Sequence, residues 1–183
     1  MKMPVGNSKK TLAVSNLPEE VSISDRQISI DVVDNRLQKT TDASFEFLRK
    51  FAEEIVNDAA PNKRPLEMNV FLLDPEEISI LNEKHLFKEG PTDVLAFPID
   101  ELDSVPDQPV YLMGDVCICP EIAAEQAKEK NIDFVDEIAL LLTHGILHLL
   151  GYDHDEEKAE AEMKEIEKTL LTRHAKHLRS KND

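Results

Sequence analysis

The stretch LTHGILHLLGYDH, residues 142–154, constrains this chain more than any other part of it. It sets His144, His148 and His154 into an otherwise apolar run that reaches back to Phe134. Residues 134–151 read as a helix, and a helix apolar nearly all round has to lie inside a domain. Positions i and i+4 share a helix face, so His144 and His148 project side by side. Gly151 supplies the left-handed residue on which such a helix stops. The reversal then returns His154 towards the first two histidines. Three neutral imidazoles gathered at a helix end, with a fourth position open, form the ligand set of a catalytic zinc. Imidazole also suits nickel, copper and iron, so the expectation is one divalent transition ion per chain, with zinc first. Carboxylates commonly hold the outer N–H of such ligands. Asp153 and Asp155 flank the third histidine and either do this or are simply solvated.

The rest of the chain supplies a domain to hold that helix. QISIDVVD (27–34) alternates Ile28, Ile30 and Val32, a strand pattern. Residues 42–60 place Phe45, Leu48, Phe51 and Ile55 at helical spacing. A strand over 66–74 leads into a short helix over 75–86 that opens on Pro75, where a missing N–H costs little. A turn and a strand at Val94–Phe97, closed by Pro98, precede a strand over 111–120 and a helix over 121–131. The last helix carries Ala159, Met163, Ile166 and Leu170 on one stripe. Strands and helices do not alternate strictly, and one helix is central. The pattern predicts an α+β fold, a small sheet packed on helices. Residues 1–25 lack periodicity and read as a flexible extension, leaving 26–183 as one domain.

Composition narrows the function. The 183 residues carry a formal charge of −16, which argues against a protein that coats nucleic acid nonspecifically, because phosphate affinity comes from Lys and Arg. Between residues 91 and 172, five basic side chains face twenty acidic ones, nearly the whole imbalance. The basic candidates are NKR (62–64) and RHAKHLRSK (173–181), each of which also reads as an ordinary solvated segment. His174 and His177 in that tail lack a third partner and are assigned no metal. Cys117 and Cys119 fall on one side of a strand as core thiols, too close in sequence to bridge. They fit a reducing, cytoplasmic compartment. No secretory signal and no run long enough for a membrane span is present.

The spacing His-x-x-x-His-x-x-Gly-x-x-His is shared with the metzincin proteases, which carry a Glu general base directly after the first His. Here that residue is Gly145, so peptide hydrolysis is disfavoured. A metal still generates its own nucleophile, since zinc brings the pKa of bound water to about 7.

HGILHLLGYDH, together with GPTDVLAFP, MGDVCICPE and the Leu81-Asn82 pair, resembles the YbeY family of metal-dependent endoribonucleases. The resemblance covers about residues 66–171, in the family's order and spacing. It implies a zincin-like α+β fold whose central helix carries zinc on His144, His148 and His154. It also implies cleavage of single-stranded RNA in small-subunit rRNA 3′-end maturation and ribosome quality control. Small-subunit ribosomal proteins and an assembly GTPase are the implied partners. The alternative is a ribosome-assembly binding factor whose metal is mainly structural; a general metal-dependent hydrolase of small substrates is a third reading.

One departure stands out. Leu86 occupies the position where the family typically has Arg, and leucine cannot grip a phosphate as a guanidinium does. Either Lys88, two residues on, substitutes and meets substrate phosphates, or RNA affinity is weaker, or the Arg is not essential to the chemistry; Lys88 also reads as an ordinary solvated loop lysine. Asp93 in PTDVLAF either orients a water or caps the turn, the cap being preferred. The residue that acts as general acid or base is not identified.

Overall fold

The computed structural model describes residues 27–37, 39, 41, 44–61, 64–100, 109–152 and 157–179. Nine elements run in the order β1 (Ile28–Asp34), α1 (Phe45–Ala59), β2 (Leu66–Leu72), α2 (Pro75–Leu86), β3 (Val94–Pro98), β4 (Tyr111–Ile118), α3 (Pro120–Lys130), α4 (Phe134–Leu149) and α5 (Glu157–Arg179). The four strands form one mixed sheet in the order β1-β2-β4-β3. β1, β2 and β4 are parallel, and β3 pairs antiparallel with β4 at the edge. This is the expected α+β fold, with a small sheet packed on helices.

Side chains alternate across a pleated strand, and here the alternation sorts two cores. Ile30, Leu66, Met68, Val70, Leu72, Val116 and Ile118 meet α1, α4 and α5 on one face. Cys117, Leu95, Phe71 and Phe97 meet Ile78 and Leu81 of α2 on the other. The register of β4 shifts beside Glu67 and Met68, so that Tyr111 and Met113 join the main core despite their odd positions. Cys119 also falls in the smaller core. Burial pushes the Cys117 thiol up to about 12, as befits an inert core thiol. Phe45 departs from expectation: it is 45% exposed at the first turn of α1, near the Lys39 ammonium. The buried stripe of that helix begins at Leu48 instead.

Helix α4 lies against β3 and β4. From Glu137 to Leu150 every residue is buried except Leu140, His144 and His148, which form one stripe at i, i+4 and i+8. The contact is close because Gly145 has no side chain. A Cβ there would stand 2.6 Å from Val116 Cγ1 and 3.1 Å from Cγ2. Both atoms belong to a stiff β-branched residue with no exposed surface.

Helix α5 is tied to α1 through a buried carboxylate. Arg173 donates to both oxygens of Asp58 at 2.6 and 2.7 Å. His174 sits 3.1 Å from Asp58 Oδ2 and 3.2 Å from Glu54 Oε2. Burial alone would raise the Asp58 pKa, but the hydrogen bonds from His174 and Arg173 outweigh it and hold the carboxyl below its usual range. The basic start of the tail is therefore spent on structure, a correction to its reading as a solvated segment or RNA contact. A second knot closes the end of β1, where Arg36 grips both Asp34 oxygens at 2.9 and 3.1 Å. The hydrogen bond from Arg36 lowers the Asp34 carboxyl to about 2. Residues 1–26, which contain the whole of the expected extension, lie outside the described residues.

Replacing Gly145 with Ala tests the close approach. Overpacking costs about 1–3 kcal/mol, against about 1 kcal/mol of helix propensity gained. Net destabilisation is expected, read as a melting temperature lowered by a few degrees; an unchanged or raised value would contradict the packing.

Candidate metal centre

The two histidines of α4 are fixed by their outer nitrogens. The helix stops as the sequence requires, with Gly151 at φ +86°. Gly151 N–H donates to His148 O at 2.9 Å, and Tyr152 N–H to Leu147 O at 3.0 Å. This is the two-bond left-handed cap that satisfies the last carbonyls of a helix. The same reversal brings the Tyr152 carbonyl oxygen to 3.0 Å from His148 Nδ1. A carbonyl only accepts, so Nδ1 carries the proton there. His144 Nδ1 lies 2.9 Å from Glu167 Oε1, and a carboxylate likewise demands a proton on that nitrogen.

With both Nδ1 atoms protonated, each neutral ring presents a lone pair at Nε2. The two Nε2 atoms face each other at 3.0 Å, with the rings nearly perpendicular at 78°. Two lone pairs at that separation repel unless a proton or a cation lies between them. Two nitrogens sharing a tetrahedral zinc at about 2.0–2.1 Å stand about 3.3 Å apart, within a small adjustment of the distance seen. The donor set therefore suits a divalent transition ion. The His144 side chain keeps 30% of its surface exposed, so the position is reachable from solvent.

His154, the third expected ligand, lies outside the described residues, as do Asp153 and Asp155. Among the described residues no group of three or more His, Cys, Asp or Glu is arranged to hold a metal. The carboxylate that holds His144 is Glu167, far along the chain on α5. Nothing in its helix distinguishes it from Glu160, Glu162 and Glu165; only the packing of α5 on α4 selects it.

The other singled-out residues take separate places. Asp93 Oδ1 accepts from Val94 N–H at 2.8 Å and from the Thr92 hydroxyl at 3.0 Å. Its Oδ2 accepts from Gln126 at 2.9 Å, so Asp93 organises the turn before β3. Asn82 Nδ2 donates to Gly90 O at 2.9 Å and braces the same loop. Leu86 and Lys88 are exposed on it. His85 meets Phe97 of β3 edge to face, with centroids 5.0 Å apart, which joins the end of α2 to the edge strand. Arg64 of the NKR segment lies over the Tyr111 ring, and residues 62 and 63 are outside the described set. No helix among the described residues is long and apolar enough to cross a membrane.

Comparison with known proteins gives a consistent neighbourhood. The family model described as endoribonuclease YbeY matches residues 22–175. A protein of Thermobifida fusca named endoribonuclease YbeY is 42% identical over 148 residues, 79% of this chain and 92% of that one. The Frankia casuarinae protein of the same name is 45% identical over 111 residues, 57% of this chain and 55% of its own length. The Acidothermus cellulolyticus protein, also so named, is 45% identical over 113 residues, 58% of this chain and 69% of that one. The solution structure of TM1509 from Thermotoga maritima superposes with a TM-score of 0.50 at 29% identity, covering 84% of this chain and 97% of that one.

Outer-nitrogen partners typically alter metal affinity 10–100-fold. Glu167→Gln is expected to weaken zinc binding by about that factor, measured by competition with a chromogenic chelator, with the circular dichroism unchanged. Affinity equal to wild type would remove Glu167 from the site.

Proposed function

Because the family match spans residues 22–175, the chain belongs to the endoribonuclease YbeY family, and we propose that it cleaves single-stranded RNA using a divalent metal held by His144, His148 and His154. Zinc is the first candidate for that ion. The pathway we assign is 3′-end maturation of small-subunit ribosomal RNA and ribosome quality control in the cytoplasm, with small-subunit ribosomal proteins and an assembly GTPase as partners. The observation that carries the reading is the pair of facing Nε2 atoms, 3.0 Å apart on rings whose other nitrogens are already engaged.

A zinc ion bound there supplies a water or hydroxide nucleophile near neutral pH. The chain's own residues prepare the place. Glu167 and the Tyr152 carbonyl hold both rings in one tautomer and orientation. From Glu137 to Leu150 the burial of all but one stripe of α4 confines access to the side on which the imidazoles lie. Gly145 brings no carboxylate, and its position faces Val116 in the core. A side chain at that position would point into the core and away from the imidazoles, so any general base would be a residue elsewhere in the fold. Lys88, exposed beyond the end of α2, meets substrate phosphates as a point charge.

Protein freed of contaminating nuclease should cleave single-stranded RNA, stop on addition of chelator and recover with added metal. His144→Ala should abolish cleavage while keeping the fold; cleavage that persists under chelation would sink the reading. Unfolding of the variant would instead favour a binding factor with a structural metal. Lys88→Ala should weaken RNA binding similarly across sequences and reduce the slope of log K against log salt by about 0.7, the share of one phosphate on a single strand. An unchanged slope would discard that contact.

A further inference from the structure

The left-handed residue that ends α2 is Phe87, at φ 56° and ψ 31°. Gly, and sometimes Asn, is the usual occupant of such a cap, because a side chain at positive φ crowds the backbone. The ring gains little in return within the chain: Phe87 is 90% exposed. Ile80, about two turns earlier on the helix, is 64% exposed, and the adjacent Leu86 is 50% exposed. Lys84 and Lys88 flank the ring in sequence and are themselves exposed. Glu83 and Glu89 offset them, so the segment is locally near neutral in a chain of net charge −16. A polyanion meets less repulsion here than along the acidic stretch that follows. The loop leads directly into β3, the edge strand against which α4 packs.

We infer that Phe87 is a stacking platform for a base of single-stranded RNA, positioning the strand at the mouth of the metal centre. A phenyl face stacks on any nucleobase, so the contact is sequence-tolerant. It supplies by stacking some of the grip that Leu86 cannot supply by charge. Strain at the cap is kept because it aims the ring outward. The inference rests on the endoribonuclease reading and adds to it a base contact distinct from the phosphate contact of Lys88.

The test measures affinity for a fluorescein-labelled 2′-O-methyl oligonucleotide of about ten nucleotides, which resists cleavage, beside an abasic oligomer of the same length. Phe87→Ala should lower affinity for the base-bearing strand about tenfold and leave the abasic one unchanged; Lys88→Ala should weaken both. Phe87→Tyr, which keeps the ring, should bind within twofold of wild type. Phe87→Gly should lose the same affinity yet melt a few degrees higher, because glycine relieves the cap; a merely structural residue would not move in opposite directions. Equal binding of wild type and Phe87→Ala overturns the platform and leaves the nuclease reading standing. Phe87-dependent self-association with RNA binding unchanged also overturns it, in favour of a protein contact. If wild type binds neither oligomer and cleaves no RNA, the nuclease reading fails and the platform with it.

Discussion

The approach of α4 to β4 is the contact on which the rest of the structure depends. Gly145 and Val116 bring the helix axis closer to the sheet than any side chain would permit. Packing at that distance buries the helix on nearly every side and leaves one strip of it in contact with solvent. Because the strip repeats every four residues, it holds His144 and His148 together. The same glycine that allows the packing removes a carboxylate from the place where a metzincin protease keeps its base. Structural and chemical requirements thus meet in one residue, and satisfying the first excludes the protease solution to the second.

The two imidazole rings of α4 are steadied by unrelated devices. His148 is held by the backbone that reverses at Gly151, a local consequence of how the helix ends. His144 is held by Glu167 on α5, so its orientation depends on where that helix docks. That helix docks through Met163, Ile166 and Leu170 in the main core and through Asp58 of α1, which receives Arg173 and His174. Burial would favour the neutral form of Asp58; the charged partners reverse that preference. Buried charges are costly unless paired, so these contacts confine α5 to one placement more than they add net stability.

Charge sets the remaining condition on function. A polyanionic substrate approaching a chain of net charge −16 needs either a local gap in the field or contacts that do not rely on charge. The end of α2 and the loop after it offer both, in exposed Lys84 and Lys88 balanced by Glu83 and Glu89 and in an aromatic ring held outward. Asp93 and Asn82, read from the sequence as turn and family-motif residues, serve here as the braces that shape the loop and hand it on to β3.

Periodicity made most of the fold legible in advance, because hydrophobic repeats of 2 and 3.6 residues report directly which side of an element is buried. The strands, the helices, the central placement of α4 and the left-handed stop at Gly151 all follow from such local rules. Phe45 deviated because the first turn of a helix can carry the right spacing and still project beyond the sheet it packs on. What the local pattern did not contain was partnership between distant segments. Arg173 and His174 looked like solvated tail, and Glu167 like one acid among many on an exposed helix. The sequence by itself determined that two imidazoles would share a helix face, since spacing along a helix is a property of the backbone. Only the tertiary structure decided which carboxylate would hold one of them and why no base could follow the first, since both depend on distances between elements that no single stretch of chain encodes.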